Sequence, residues 1–306
     1  MKNIREFVTR LQLAGVPLKQ GELMCRHTSF QIGGPVAVMV FPEGREQMME
    51  VINLSRQYEM KPMIMGAGSN MLAPDEGLDT VMIETRTNMT KIELLEGDRI
   101  KAQCGVTLAK LASFAMEKGL TGLEFAHGIP GTLGGGIYMN AGAYGGEMVQ
   151  VLESVTILER DGTVREDVPV SDLDLSYRHS RFMEADSIIL YAILKLTPGN
   201  KDEIKAKMAE LMGKRKTSQP LEFPSAGSTF KRPQTGYAAA LIDEAGLKGL
   251  TVGGAQVSEK HAGFVINRGR ATCKDVLELM AQIQQKVKEN SGVNLEPEVR
   301  VLEVKK

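Results

Sequence analysis

The sequence predicts a protein of mixed helices and strands in two domains, and three observations support this. The chain has 306 residues, which is typical of about two domains of ~100–200 residues each. Helical spacing of apolar residues alternates with short apolar strands near the N-terminus, which is an α/β signature. A Pro198-Gly199-Asn200 break then separates this region from a second mixed region, so we expect a domain boundary near residue 200.

The first domain is predicted to begin with a helix and to continue as strand, helix, strand and strand. Ile4, Phe7, Val8 and Leu11 recur at helical spacing. Thr107 fits a helix N-cap and Gly119 fits the residue that ends this helix. The remaining predicted elements are strands at 36–41, 62–65, 80–83 and 187–196, a helix at 46–58, and hairpins at 91–104 and 151–166.

The second domain is predicted to be a smaller mixed unit. A polar helix covers 201–216, and a short helix at 238–245 is stopped by Gly246. Thr272 and Asp275 fit a capping box that opens a helix at 272–289. Strands are predicted near 250–252 and 263–266, and a final strand at 295–304.

Composition and charge exclude several classes of protein. A net charge of −1 lacks the basic excess of a nucleic-acid binder. Three scattered cysteines fit a reducing compartment rather than a disulfide framework, and no histidine has metal-ligand spacing. No apolar run approaches a membrane span, and the charged N-terminus is unlike a signal peptide. We expect a cytoplasmic protein without a metal site or membrane insertion.

Two glycine-rich segments are candidate ligand loops. Gly66-Ala67-Gly68-Ser69-Asn70-Met71 follows a strand, where exposed N–H groups could bind an anion. Met71 stands where a Rossmann fingerprint has its third glycine, so a nicotinamide Rossmann site is not favoured, and an ordinary tight turn is the alternative. The segment 128–145 lacks the G-K-[ST] of a P-loop and is suited to wrapping a large rigid ligand; consecutive turns are the alternative.

Three further segments present polar side chains in chemically suggestive surroundings. Arg178 could grip a carboxylate or phosphate, although solvated loop charges would look the same. Ser228 offers a hydroxyl on a turn, which also fits an ST-turn. If strand alternation holds, Glu298 points the same way as Glu296; solvent-facing carboxylates are the alternative.

Taken together, these segments resemble the UDP-N-acetylenolpyruvoylglucosamine reductase (MurB) family. The matching stretches occur in order over nearly the whole chain, and one alone would be unspecific. They are residues 27–34, 66–70, 128–145, Tyr177-Arg178, 225–228, 253–255 with 261–264, and 295–300.

The resemblance implies an α+β fold and a flavoenzyme. It implies a two-lobed FAD-binding domain of the vanillyl-alcohol-oxidase (PCMH) type at 1–199, split near 90–105. A smaller substrate domain follows at 200–306, and its last strand is expected to pack back. Non-covalent FAD and NADPH are the implied cofactors, and the chain looks like the second subclass, which lacks an inserted tyrosine-bearing loop. The implied reaction converts enolpyruvyl-UDP-N-acetylglucosamine to UDP-N-acetylmuramate in peptidoglycan precursor synthesis.

Site residues carried over from the family fall into three groups. The family's catalytic arginine, proton-donor serine and glutamate correspond to Arg178, Ser228 and Glu298. The expected cofactor-binding residues are Gly66, Ala67, Gly68, Ser69, Asn70, Met71, Pro130, Gly131, Gly134, Gly135, Asn140, Ala141, Gly142 and Tyr144. The expected substrate-binding residues are Tyr177, Lys231, Arg215 and Gln219.

The sequence departs from the family at one phosphate-binding position. Relatives often place a lysine before Gln219, where this chain has Ser218, so Arg215, Lys216 or Lys231 is expected to substitute. Two other functions remain open at this point: another FAD oxidoreductase of the same fold, or a non-catalytic UDP-sugar sensor. Small molecules are the expected partners, and we expect a monomer or weak homo-oligomer.

Overall fold

The computed structural model describes residues 3–303. It divides into two compact units, and both are assembled from several chain segments. Unit 1 comprises the residues up to Gln20, Val38–Ala67 and Thr80–Lys214, and unit 2 comprises Gly21–Ala37, Gly68–Asp79 and the residues from Arg215 onward. Two N-terminal segments therefore group with the C-terminal third. The predicted domains 1–199 and 200–306 follow the chain instead, and that division stays a prediction.

Seven helices and eighteen strands form the described part of the chain. The helices are α1 Ile4–Leu13, α2 Arg45–Gln57, α3 Leu108–Glu117, α4 Leu133–Tyr138, α5 Lys201–Ser218, α6 Ala238–Glu244 and α7 Cys273–Ser291. The strands are β1 Leu18–Leu23, β2 Pro35–Val40, β3 Met63–Met65, β4 Met71–Leu72, β5 Leu78–Glu84, β6 Ile92–Leu95, β7 Arg99–Gln103, β8 Leu120–Thr121, β9 Gly142–Ala143, β10 Gly146–Glu147, β11 Leu152–Glu159, β12 Val164–Pro169, β13 Ser187–Lys195, β14 Thr197–Pro198, β15 Thr251–Val252, β16 Ala255–Val257, β17 Val265–Asn267 and β18 Arg300–Val301.

The elements with local sequence signals are confirmed. The Thr107 hydroxyl caps α3 by accepting the Lys110 N–H, and Gly119 follows that helix with a φ of 71°. Thr272 and Asp275 form the expected capping box at the start of α7. Both predicted hairpins form, as β6–β7 and β11–β12. Caps and turns act within a few residues, so their signals do not depend on the rest of the fold.

The final strand is shorter than predicted, and α4 was not predicted. Of the predicted strand at 295–304, Arg300–Val301 is a strand and Pro297 forms an isolated antiparallel bridge with Phe230, and residue 304 lies outside the described residues. Pro297 carries no amide hydrogen, so it cannot donate to a longer ladder. Glu296 is exposed and Glu298 is partly buried, and the expectation that the two side chains point the same way stays a prediction. Helix α4 contains three adjacent glycines, which disfavour helix in the sequence.

Unit 1 contains a five-stranded antiparallel sheet in the order β12-β11-β13-β7-β6. Strand β13 is largely buried and pairs with β11 and β7 on its two sides. Leu111 of α3 lies in the same hydrophobic core as Val155 and Leu190. A separate four-stranded sheet has the order β1-β2-β5-β3, with β3 parallel to β5. The predicted split of two lobes near residues 90–105 stays a prediction.

Unit 2 has a core of its own beneath α7. Its antiparallel sheet has the order β15-β16-β17, and Leu279 and Ile283 of α7 share a core with Phe230 and Leu72. Strand β18 pairs in parallel with β4, with Arg300 opposite Met71. This pairing explains why the short segment Gly68–Asp79 belongs to the unit that contains the C-terminus.

Candidate active site

The loop after β3 presents backbone amides that the described protein does not use. The N–H groups of Gly66, Ala67, Gly68 and Ser69 donate to no acceptor among the described residues. A Cβ at Gly66 would lie 2.1 Å from Oγ1 of Thr132. At Gly68, with a φ of 60°, it would lie 2.3 Å from the His27 carbonyl oxygen. Packing thus requires glycine at these two positions, and the unused amides of this loop are available to an anion.

The second glycine-rich loop uses most of its amides internally. Leu133 and Gly134 donate to the carbonyls of Val106 and Cys104 at 2.7 and 2.8 Å, and Gly131 donates to Ile129 at 2.8 Å. A Cβ at Gly134 would lie 2.9 Å from that of Cys104, and burial raises the pKa of the Cys104 thiol to about 12. Pro130 and Gly135 are exposed. This loop is therefore packed against the protein through its backbone. Its contacts with a pyrophosphate stay a prediction.

A tight hairpin follows the second loop and presents Tyr144. Strands β9 and β10 pair Gly142 with Glu147, and the turn residues Tyr144 and Gly145 have φ values of 53° and 86°. Positive φ at both central residues is typical of a type I′ turn. Tyr144 is therefore exposed at the tip of the hairpin.

Arg178 occupies a strained position on a second turn of unit 1. Ser176 and His179 exchange backbone hydrogen bonds of 3.2 and 3.1 Å, which closes a turn with Tyr177 and Arg178 at its tip. The φ of Arg178 is 54°, a left-handed conformation that a side chain adopts at a cost. Its Nη2 lies 3.5 Å from the Gly142 carbonyl, and its guanidinium lies 5.0 Å from the centre of the Tyr177 ring.

In unit 2, Ser228 lies on the segment that adjoins Glu298. The Glu298 N–H donates to the Thr229 carbonyl at 2.8 Å, and the Lys231 N–H donates to the Glu296 carbonyl at 2.8 Å. Ser228 is exposed beside this ladder. The Lys231 ammonium forms an ion pair with the Glu296 carboxylate. Main-chain bonds therefore hold the predicted proton donor and the predicted carboxylate in adjacent segments.

Asn70 connects the loop at 66–69, whose backbone amides are unused within the described chain, to the segment 296–300 that contains Glu298. Its Nδ2 donates to the Glu298 carbonyl at 3.1 Å, and its own carbonyl accepts the Arg300 N–H at 3.0 Å. Ser29, for which the sequence predicts no individual role, donates its N–H to the Gly68 carbonyl at 3.2 Å and its hydroxyl to the Ser225 carbonyl at 2.6 Å. Only its place in the motif at 27–34 could have indicated this.

The two units divide the predicted site residues between them. Unit 1 carries Gly66, Ala67, Pro130, Gly131, Gly134, Gly135, Asn140, Ala141, Gly142, Tyr144, Tyr177 and Arg178. Unit 2 carries Gly68, Ser69, Asn70, Met71, Arg215, Gln219, Ser228, Lys231 and Glu298. Arg215 and Gln219 lie at the end of α5, where the Gln219 N–H donates to the Arg215 carbonyl at 2.9 Å. Their roles stay predictions.

Among residues 3–303, no group of three His, Cys, Asp or Glu side chains could hold a metal ion. His261 in unit 2 is partly buried, and this burial lowers its pKa. Its Nδ1 accepts the Gly263 N–H at 3.1 Å. No helix within that range is long and apolar enough to cross a membrane.

Comparison with known proteins gives full-length matches to one family. The family model for the UDP-N-acetylenolpyruvoylglucosamine reductase C-terminal domain matches residues 219–302, and one for a FAD binding domain matches 36–167. The reductase of Clostridium tetani is 46 % identical over 305 residues, which covers 99 % of this chain and 98 % of the relative. That of Caldanaerobacter subterraneus is 46 % identical over 290 residues, 93 % and 95 % of the two chains.

Solved structures agree with these sequence matches. The UDP-N-acetylenolpyruvylglucosamine reductase of Thermus caldophilus is 35 % identical and has a TM-score of 0.81. The alignment covers 94 % of this chain and 99 % of the other. An alkyldihydroxyacetonephosphate synthase shares the fold alone, at 19 % identity and a TM-score of 0.50, over 64 % of this chain and 41 % of its own. The predicted fold class, α+β with a vanillyl-alcohol-oxidase-type FAD domain and a smaller C-terminal domain, is confirmed.

Proposed function

Because the chain belongs to the UDP-N-acetylenolpyruvoylglucosamine reductase family, we propose that it reduces enolpyruvyl-UDP-N-acetylglucosamine to UDP-N-acetylmuramate. FAD is the bound cofactor and NADPH is the reductant. The product, UDP-N-acetylmuramate, is a precursor in peptidoglycan synthesis. The observation that carries the proposal is the 46 % identity over 99 % of the chain. The two alternative functions named from the sequence have no structural observation in their favour.

The described residues fit a FAD group. The diphosphate of FAD needs hydrogen-bond donors, and the loop at Gly66, Ala67, Gly68 and Ser69 offers amides that donate to no described protein group, with no room for a side chain at Gly66 or Gly68. A bound FAD would supply two-electron chemistry, with NADPH as the source of the electrons and the enolpyruvyl double bond as their acceptor. The other predicted cofactor-binding residues would line the remainder of the group, except Asn140, whose side chain is engaged within the protein.

Arg178 is assigned the stabilisation of negative charge on the substrate. Reduction of the double bond at its methylene carbon leaves charge on the neighbouring carbon and its carboxylate. A planar guanidinium can bind such a carboxylate through two parallel hydrogen bonds. The strained turn and the carbonyl of Gly142 fix the direction of the side chain before substrate arrives, and preorganised donors are the effective ones in catalysis.

Ser228 is assigned the delivery of a proton to the carbon that bears the carboxylate, where the negative charge develops. A neutral hydroxyl is a weak acid, so its contribution must come from position. The ladder between 229–231 and 296–298 supplies this position and places the Glu298 backbone next to Thr229. The carboxyl of Glu298 is assigned a share in stabilising the enol, by hydrogen bonding.

The substrate's diphosphate is assigned to Lys231, Arg215 and Gln219, and Tyr177 to another part of the substrate. In the structure the Lys231 ammonium is paired with Glu296. Binding of a phosphate by Lys231 would therefore exchange one anionic partner for another. The remaining expectations, a cytoplasmic location and a monomer or weak homo-oligomer, stay predictions from the sequence.

A visible absorption spectrum of the purified protein tests the proposal. We expect a flavin spectrum that bleaches on anaerobic addition of NADPH and returns on addition of enolpyruvyl-UDP-N-acetylglucosamine. In deuterated water, the product should carry one deuterium, on the carbon that bears the carboxylate. Bleaching without recovery would exclude this substrate, and a protein that binds no FAD would overturn the proposal.

A further inference from the structure

Any role of Asn140 in the reaction rests on the proposed function. We propose that Asn140 is a positioning residue for Arg178: its side chain holds the turn that carries the guanidinium and ties this turn to the second glycine-rich loop. The sequence predicted a cofactor-binding role for Asn140. The structure shows that its side-chain amide is already engaged within the protein.

The side chain of Asn140 is a buried node with three partners. It is 1 % exposed. Its Nδ2 donates to the Ser176 carbonyl and to a Glu147 carboxylate oxygen, both at 3.1 Å. Its Oδ1 accepts the Val149 N–H at 3.0 Å. Both amide hydrogens and the amide oxygen are therefore committed to protein groups.

The bond to Ser176 acts on Arg178 because Ser176 closes the turn. Ser176 and His179 are hydrogen-bonded through their backbones, and Arg178 lies between them with a φ of 54°. A strained conformation of this kind persists only where its surroundings over-determine it. Asn140 anchors the turn on one side. On the other side, the buried hydroxyl of Ser180 donates to the Tyr138 carbonyl at 2.7 Å.

The same node connects the turn to the β9–β10 hairpin. Asn140 bonds to Glu147 and Val149 beyond the hairpin, and the Gly142 carbonyl within it lies 3.5 Å from Nη2 of Arg178. Loss of the Ser176 bond would let the turn relax toward an unstrained φ. The guanidinium would then leave its aligned position, although the charge of Arg178 would be unchanged.

The test uses an isosteric exchange of hydrogen-bonding groups. Asn140→Asp keeps the acceptor for Val149 but loses both donors and faces the Glu147 carboxylate. A Glu147→Gln exchange added to it supplies a side-chain amide that can donate to the new carboxylate. The double variant therefore keeps the contacts to positions 147 and 149 and replaces the bond to the Ser176 carbonyl by repulsion between two oxygens. Glu147→Gln alone is the matched control and should behave as the parent enzyme.

We expect the double variant to bind FAD and to be bleached by NADPH at the parent rate. Reoxidation of its flavin by enolpyruvyl-UDP-N-acetylglucosamine should be slower by about 10²-fold, the loss typical of a 1 Å misplacement. In an Arg178→Lys background, the same exchange should cost far less, because a residue acting through Arg178 is not additive with it. Full additivity, or equal slowing of both half-reactions, would overturn the proposal.

Ser180→Ala keeps the proposal testable if the double variant loses FAD. This variant removes the second anchor of the turn and leaves the Glu147 and Val149 bonds intact. It should show the same selective slowing of flavin reoxidation, and an unchanged reoxidation rate would count against the inference. If the parent enzyme itself is bleached by NADPH but not reoxidised by this substrate, the proposed function fails instead.

Discussion

In unit 1 the turn with Arg178 is held by side chains against a strained backbone, whereas in unit 2 main-chain bonds hold the segments of Ser228 and Glu298. The Arg178 turn depends on Asn140 and Ser180. The Glu298 segment depends on the bonds from its own N–H to Thr229 and from Lys231 to Glu296. Both arrangements place a chemical group, but through different parts of the chain.

This difference determines which substitutions disturb the Arg178 turn and which disturb the ladder of unit 2. A side-chain anchor is lost in one substitution, because its hydrogen bonds all belong to one residue. A main-chain ladder survives most substitutions, because every residue except proline keeps its N–H and carbonyl. We therefore expect rate losses without unfolding when the side chains that anchor the Arg178 turn are substituted. Substitutions at the unit 2 ladder should lower stability without a rate loss, except at the reacting groups Ser228 and Glu298.

The largest expected effect comes from the reacting group of unit 2. Ser228→Ala should slow reoxidation of the flavin by substrate about 10²–10⁴-fold, since it removes the proton donor, and should leave reduction by NADPH unchanged. Stopped-flow absorbance measures the two half-reactions separately. Ser225→Ala, three residues earlier, is the matched control. If both half-reactions fall by the same small extent, Ser228 is not the proton donor.

The reacting group of unit 1 gives the next effect. Arg178→Lys keeps the positive charge but loses the planar fork, so turnover should fall about 10²–10³-fold, as when one donor to a developing oxyanion is removed. Reduction of the flavin by NADPH should persist. Arg181→Lys, in the short 3₁₀-helix Arg181–Met183 that follows, is the control. A fully active Arg178→Lys enzyme would show that charge alone suffices.

Thr229 tests the other half of the comparison. Its buried hydroxyl oxygen accepts the Val265 N–H at 2.9 Å, whereas its carbonyl accepts the Glu298 N–H. Thr229→Val should lower the free energy of unfolding by about 1–3 kcal/mol, the cost of a buried donor left unsatisfied, while kcat changes little. Chemical denaturation and steady-state kinetics measure both. Thr229→Ser keeps the acceptor, and a large fall in kcat with Val would contradict the comparison.

The smallest effect concerns the cap of α7 in unit 2. Hydrogen bonds from the backbone N–H groups of Thr272 and Gly254 lower the pKa of the Asp275 carboxyl from its ordinary value of 3.8. Asp275→Asn should therefore lower stability by about 0.3–1 kcal/mol at neutral pH. A lowered native pKa means that this contribution disappears as the pH falls below 3.8 through the native value.

Denaturation at several pH values measures this dependence. The parent and Asp275→Asn curves should converge on acidification. Curves that stay parallel through the acid range would mean that the charge of Asp275 does not contribute to the cap.

The elements whose signals lie within a few residues of one another could be predicted from the sequence alone. The Thr107 and Thr272 caps, the two hairpins and the amphipathic helices follow from local spacing, and the ordered motifs identified the family. These signals are local because caps, turns and helix faces involve residues a few positions apart.

Contacts between distant segments determine which segments share a unit and which groups are the hydrogen-bond partners of Asn70 and Asn140. Strand β4 has two residues, and its pairing with β18 spans 229 positions, from Met71 to Arg300. Helix α4 forms against its own glycine content because Thr132 caps it and Leu133 and Ile137 are buried in the core. Likewise, the sequence showed Asn140 within a glycine-rich loop, but not that its amide bonds the carbonyl of Ser176. Such pairings are absent from local periodicity because hydrogen-bond partners in a folded chain are selected by spatial proximity.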